Sequence, residues 1–594
     1  MVSILSAVYF DRKTEETVPV VTYIFMLLFY LAGIAGVIAH ALELLFLYLA
    51  FGCGLFIVLG IRKKKKAFFS EIPEKIKSPG LPVFIILLVI SILISLHLRI
   101  TNWDDLHYWA IFPKDMFVIN GVPTGGMSST LYQDYFPVVQ YLYFLVFKFI
   151  GRFSEPAMFA VNYFLILTCL LPFFTVRKNR GEYAVSVILG LILPSVCSYQ
   201  LYYCLGVDII MTFLFGSALI CIFDEKKDLF YYIRFVSVTS VLTMTKTTGL
   251  IFAAIAIAVF AVENLKPEIK PISVITMTGA VNLLFYASWK VFCRVKGNTT
   301  YLSNVLNSNI EGKRGLALPD YAPETIRLFV KAFFTERLNG SFIGLSAAFM
   351  LLISLLIVLT CMKDQKEKIR KTLELAVMLC GMAGYLAVML YIYLFVFDRW
   401  EALSLSSYER YIATFFGGIL CASLYFLTLK EGKVFRYVRI AAVLVLLLTI
   451  NYKAMYNAWT PWGFQQEYGK MVELIDGIDE ELKGVLVGDL HYGDEIVFVD
   501  GKDVMARSKS IPYCAVPYVS RIMSLIDRES YTAEELLEMA EGRRAKYMVF
   551  MKRDPGEKAV VENESLLFAD EGEELEEDVL YRYDPDRNVL VKNR

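Results

Sequence analysis

The chain has 594 residues, of which 57% are hydrophobic and 20% charged, with a mean hydropathy of +0.53. A soluble chain of this length would need a polar surface that this one lacks; the apolar excess excludes disorder, and ten Cys spread over so long a chain exclude a secreted disulfide scaffold. Lys+Arg and Asp+Glu both number 59, so no charge imbalance points to a nucleic-acid or acidic partner, and a polytopic membrane protein remains.

Apolar runs predict spans near 20–38, 41–60, 81–98, 155–176, 183–200, 205–223, 230–245, 248–263, 272–292, 341–361, 373–397, 411–429 and 437–453, thirteen in all. Met1–Pro19 begins apolar but is broken by Asp11, Arg12, Lys13, Glu15 and Glu16 and has no small-residue cleavage site, so a cleavable signal peptide is not expected. Cytoplasmic connections carry an excess of Lys and Arg. Arg62 to Lys66 follow the second span, Arg177, Lys178 and Arg180 the fourth, Lys226 and Lys227 the sixth, Lys266 and Lys270 the eighth, Lys363 to Lys371 the tenth, and Lys430 to Arg436 the twelfth. Every cluster follows an even-numbered span, which predicts a multi-pass plasma-membrane protein with a cytoplasmic N-terminus and an outward-facing C-terminal region.

Three outward segments are long. The first, about 99–154, holds ITNWDDLHYWAIFPKDM and then an apolar stretch, 137–150, too short for a crossing and expected to be interfacial or re-entrant. The second, about 293–340, ends in PETIRLFVKAFF, an amphipathic stretch expected on the membrane surface. From about 455 the composition turns soluble: KGVLVGD and AKYMVFM read as short buried strands, and TAEELLEMAEG between them as a helix from Thr532 to Gly542, giving a small α/β domain. The acidic run Asp570 to Asp578 reads as solvated surface. The Cys residues show no CxxC or metal-type spacing and read as free thiols. The chain thus divides into an N-terminal transmembrane hairpin (1–66), a transmembrane core (67–454) and an extracytoplasmic domain (455–594).

Asp104 and Asp105 lie just beyond the outer end of the third span, among Trp103, Tyr108 and Trp109. A carboxylate there can take a proton from a hydroxyl or amine, and an apolar surround raises its basicity. The competing role is capping of the following helix. His107, three residues from Asp104, could share a face with it and leaves a divalent cation open, on a weak signal.

An acidic pair after an early span, followed by DYFPVVQYLYFLVFKFIG, resembles the first outer loop of the GT-C superfamily of integral-membrane glycosyltransferases, near the protein O-mannosyltransferase and lipid A aminoarabinose transferase branch. LGVDIIMTFLF, LTMTKTTGL and SSYERYIATFF are similar to that family's Asp-bearing span, Leu-Thr-Lys turn and Arg-Tyr segment. The chain departs from the pattern in having Phe136-Pro137 where members usually show Pro-Pro, and in the added hairpin at 20–60. The resemblance implies a GT-C-like helical fold, a polyprenyl-phosphate sugar donor, an acceptor that is a lipid, glycan or protein, an outward site and inversion at the anomeric carbon.

Such a reaction needs a base for the acceptor proton and cations for the departing phosphate. Asp104 or Asp105 fits the base. Lys246, at an outer span end, is costly unless paired or near water and fits the phosphate, with snorkelling as the alternative. Arg410 offers a planar fork to phosphate, against an interfacial anchor or a pair with Glu409. His107, Tyr135, Asp208 and Tyr411 stand as supporting positions, Asp208 as an internal partner rather than a direct participant. A surface-polysaccharide polymerase or ligase, and a transporter or lipid flippase suggested by Asp208, Lys246 and Lys290 inside spans, are the other functions these residues admit.

Overall fold

A computed structural model describes the chain apart from residues 65–66, 126, 129, 131, 176–178, 265–268, 299–317, 362–364, 487–489, 492, 500–504, 517, 519–520, 526–529, 552–559, 570–571 and 594. It is predominantly helical, with a small sheet region at the C-terminal end. Among the described residues seven helices are long and apolar enough to cross a membrane, or nine if each of two bent pairs, Ala67–Ile76 with Gly80–Ser95 and Lys433–Thr449 with Tyr452–Trp459, forms one span. Asp208–Cys221, Leu229–Thr243, Gly249–Glu263 and Ala347–Cys361 occupy other expected spans but have only 14 or 15 residues. At 1.5 Å per residue they extend roughly 21–23 Å, short of a hydrocarbon core of about 30 Å.

Ion pairs and hydrogen bonds sort the connections into two groups. In one, Arg12 reaches Asp224 and Asp228, each at 2.8 Å, Ser78 donates to Glu15 at 2.6 Å, Lys227 and Lys371 both meet Glu263, and Arg439 spans Glu182 and the Lys430 carbonyl. These are the connections with the basic clusters. In the other, His97 meets the Ala458 carbonyl, Arg99 meets Asp476, Asn298 accepts from the Gly125 amide, Asn339 donates to the Thr449 carbonyl, and Arg410 meets Asp104.

At the centre, Asp208–Cys221 and Tyr408–Leu429 pack along their lengths, and both are buried almost throughout. Gly418 permits the approach, because a Cβ there would lie 2.6 Å from the Phe215 ring. Their adjoining first turns carry Asp208 and Arg410.

The 137–150 stretch forms the helix Val138–Ile150, started after Pro137 and stopped by Gly151 in the left-handed conformation, φ 75°. Val138 to Leu145 and Phe147 are buried against Thr14–Ile34, Ile111–Ile119 and Glu155–Leu170, while Phe149 and Ile150 are exposed. Ala322–Thr335 is amphipathic as expected, with Phe329 packed on Tyr393 and Tyr408 while Ile326, Val330 and Phe334 project outward.

After Pro461–Val485 come β1 (Glu495–Val499), β2 (Arg521–Leu525), β3 (Ser530–Thr532), β4 (Tyr547–Phe550), β5 (Val560–Glu562), β6 (Leu580–Asp584) and β7 (Val589–Lys592). The main sheet has the order β2-β1-β4-β6-β7; β1 is parallel to both β2 and β4, and β6 is antiparallel to β4 and β7. β1 and β4 read as unbroken apolar runs because both faces are covered. Ile496, Phe498, Tyr547 and Val549 join the main core, and Val497, Val499, Met548 and Phe550 pack with Leu536 and Leu537 of Ala533–Arg543. Two expectations need correction here. Lys483–Val485 of KGVLVGD end a helix instead of opening a strand, because Ile475, Ile478, Leu482 and Val485 keep a helical spacing of buried residues; Val487 to Asp489 lie outside the described residues. The Thr532-capped helix runs past Gly542 and ends on Arg544 at φ 55°. Asp570 and Glu571 of the acidic run also lie outside the described residues.

Candidate functional site

The acid pair opens a π-type turn, Asp105–Trp109, closed by the Ala110 amide donating to the Asp105 carbonyl at 2.9 Å. Such turns are rare and concentrate at functional positions. The Asp104 carboxylate makes no capping bond. Its backbone amide donates to Asn102 Oδ1 at 3.0 Å, and its side chain pairs with Arg410. Protein surrounds it on most sides, yet 45% of the side chain is accessible, so it sits in an open recess. Burial pushes its carboxyl up, but the Arg410 guanidinium, helped by Lys246 and His107, prevails and holds it below the usual carboxylate range.

Asp105 points the other way and is fully buried. Its Oδ2 accepts from the Leu205 amide at 2.9 Å and its Oδ1 from Cys204 Sγ at 3.5 Å. Burial, resisted by the Leu205 amide and reinforced by the charge of Asp104, pushes its carboxyl up to about 8. Asp105 is therefore mostly protonated at neutral pH and ties the turn to the 204–206 loop.

Lys246 and Arg410, 164 positions apart in the chain, meet on Asp208. Lys246 Nζ donates to Asp208 Oδ1 at 2.8 Å, and Arg410 Nε lies 3.4 Å from Asp208 Oδ2. Arg410 also donates to Ser407 Oγ and the Tyr411 hydroxyl, both at 3.2 Å. Lys246 stands 5.0 Å over the Tyr411 ring, and Tyr385 donates to the Tyr411 carbonyl at 2.8 Å. Neither snorkelling nor a Glu409 pair describes these cations. With Asp105 neutral, two cations face two carboxylates, a balanced site whose most accessible member is Asp104.

Tyr135 closes one side. Its ring lies 4.8 Å from Tyr132, 4.9 Å from Tyr108 and 5.9 Å from Trp109, and its hydroxyl is within electrostatic reach of Tyr411 and Asp104. His107 is half-buried on the π turn, close enough to Asp104 to act on its charge. Among the described residues no three His, Cys, Asp or Glu side chains gather as a metal site requires. All ten Cys are free.

The sequence did not single out Asn102, Cys204 or Leu205, because backbone amides and a lone thiol leave no pattern in it. Nor was Asp134 singled out, although Lys290, its 2.6 Å partner, stood out as a charge inside a span. No family model matches the chain, and no curated protein matches it in sequence.

Proposed function

We propose that the protein is a membrane glycosyltransferase of GT-C type that moves a sugar from a polyprenyl-phosphate donor to an acceptor at the outer face of the plasma membrane. In this reading the chain crosses thirteen times, with the basic connections cytoplasmic and residues 455–594 outside. The observation that carries it is the convergence of Lys246 and Arg410, distant in the chain, onto Asp208, beside the half-exposed carboxylate of Asp104.

Asp104 is the base, since Asp105 is buried, protonated and committed to the Leu205 amide. An acceptor O–H gives its proton to Asp104 as the oxygen bonds to the anomeric carbon from the face opposite the donor phosphate. The bond from that carbon to the phosphate oxygen breaks, and its electron pair leaves on polyprenyl phosphate, next to Arg410 and Lys246. The site is balanced before donor arrives, so the donor phosphate competes with Asp104 for Arg410. Taking the guanidinium away releases the carboxylate from its strongest charge partner and raises its basicity, so donor binding activates the base. The aromatic wall of Tyr135, Tyr132 and Trp109 offers ring faces to a sugar.

Donor titration at fixed acceptor tests the phosphate site. Arg410→Lys keeps the charge and loses the fork, and Lys246→Ala loses a cation; each is expected to raise the donor concentration for half-maximal rate about tenfold or more. Unchanged donor dependence in both variants would leave these cations as anchors and remove the phosphate from this site.

A further inference from the structure

The turn carrying Asp104 is held by residues far away in the chain. The π turn Asp105–Trp109 is a single short element, and the Ala110 amide closes its end on the Asp105 carbonyl. The helix Met505–Ala515 of the C-terminal region packs directly on it. Tyr513, near that helix's end and 3% exposed, grips both flanks of the turn. On the downstream flank, Lys114 Nζ donates to the Tyr513 carbonyl at 2.7 Å and stands 4.2 Å over its ring. On the upstream flank, the Tyr513 hydroxyl donates to Glu155 Oε1 at 2.6 Å. Glu155 Oε2 in turn accepts from Arg99 Nε and from the Ile100 amide, both at 2.9 Å. A second strut joins Arg99 to Asp476 on Pro461–Val485 at 2.7 Å.

We propose that Tyr513 is a positioning residue for Asp104, so that the C-terminal region braces the acid turn and completes the outward site instead of merely covering it. The chain from Tyr513 through Glu155 to Arg99 and Ile100, with Lys114 on the other side, spans residues 99–114 like a clamp. Releasing it frees the π turn to relax toward an ordinary helix, which rotates Asp104 away from Arg410. The consequence for turnover rests on the transfer reading; the bracing does not.

The test is hydrogen exchange on the full chain in lipid nanodiscs, with turnover measured in parallel as release of polyprenyl phosphate from a radiolabelled polyprenyl-phosphate hexose. Tyr513→Phe removes one charge-assisted hydrogen bond and keeps the ring over Lys114. Amides at 100–114 are expected to exchange about 10-fold faster or more, with exchange in 208–221 and 408–429 unchanged. Turnover is expected to fall about 10-fold while the donor half-saturation does not rise, because the cations stay in place and a displaced Asp104 competes less for Arg410. Asp476→Asn, at a site half open to solvent, gives a smaller change of the same pattern and serves if Tyr513→Phe fails to accumulate. Unchanged exchange at 100–114 in both variants overturns the proposal. So does acceleration spread evenly over the molecule, which would make Tyr513 a general stability element. Faster exchange at 100–114 in a protein whose wild type releases no polyprenyl phosphate would keep the clamp and remove the transfer reading.

Discussion

Asp104 and Asp105 are neighbours of one chemical type with opposite fates, decided by what each carboxyl meets. Asp105 meets an amide and a thiol in the interior and stays protonated to about pH 8; Asp104 meets a guanidinium in an open recess and ionises readily. Asp105 therefore favours the folded state when protonated. That contribution is complete below its unfolded pKa, near 3.8, and is lost as pH rises through about 8. Asp104, whose carboxyl is held low, contributes in the opposite sense and only loses its share in strong acid. Thermal unfolding of purified protein should show lower stability at pH 8 than at pH 5, and Asp105→Asn, which still accepts from Leu205, should flatten that slope. An equal slope in the variant would place the titration elsewhere. Asp105→Ala strands the Leu205 amide and is expected to cost about 1–3 kcal/mol at pH 5. The pair was legible in the sequence as two carboxylates between aromatics at a span end, but the division of labour was not. It depends on which way a π turn points each side chain and on the Leu205 amide, 100 residues away.

Among the elements, helix boundaries follow local chemistry and were readable. Ser154 accepts from the Ala157 amide to start Glu155–Leu170, and Thr532 with Glu535 forms a capping box. Where tertiary partners decide, local reading fell short: Lys483–Val485, read as the start of a strand, end the long helix Pro461–Val485, whose buried residues face the core. Arg12 shows how an element is fixed by a contact invisible to local pattern. It is 6% exposed, and it joins the end of Val2–Phe10 to Asp224, Asp228 and the Lys226 carbonyl. Asp228 also caps Leu229–Thr243. Arg12→Ala leaves two carboxylates without their shared cation, and removing one partner of a buried pair costs about 3–5 kcal/mol. The expected outcome is a marked drop in the melting temperature of the purified protein, while Lys63→Ala, an exposed donor to the Tyr9 carbonyl, changes it little. Equal effects of the two substitutions would show that the Arg12 cluster is not a structural lock.

For the whole molecule, the sorting of contacts into a group with basic clusters and a group around Asp104 agrees with a protein whose two sides do different work. If the basic side is cytoplasmic, a reporter active only in the cytoplasm should be silent when fused after Arg594 and active when inserted after Lys66. A strong signal from the C-terminal fusion would reverse the orientation. The helical class and the small C-terminal sheet region follow from apolar run lengths and the change of composition near 455, and Asp208, Lys246 and Arg410 stand out as charges placed where they are costly. Which charges meet could not be read from them, because Asp208 and Arg410 come together through packing of the Asp208–Cys221 and Tyr408–Leu429 helices at their small residues, and Lys246 arrives on the turn between Leu229–Thr243 and Gly249–Glu263, which also pack on Asp208–Cys221.

The central claim is that Asp104 removes the acceptor proton while Lys246 and Arg410 receive a polyprenyl phosphate. Its most direct test is to incubate purified wild-type protein and Asp104→Asn, each in nanodiscs, with a radiolabelled polyprenyl-phosphate hexose and an envelope extract as acceptor source, following both free polyprenyl phosphate and label transferred. The wild type is expected to yield the two products together, and Asp104→Asn to yield about 100-fold less of both at undiminished expression. A wild type that transfers no label, or an Asp104→Asn variant that transfers as well as the wild type, would contradict the account.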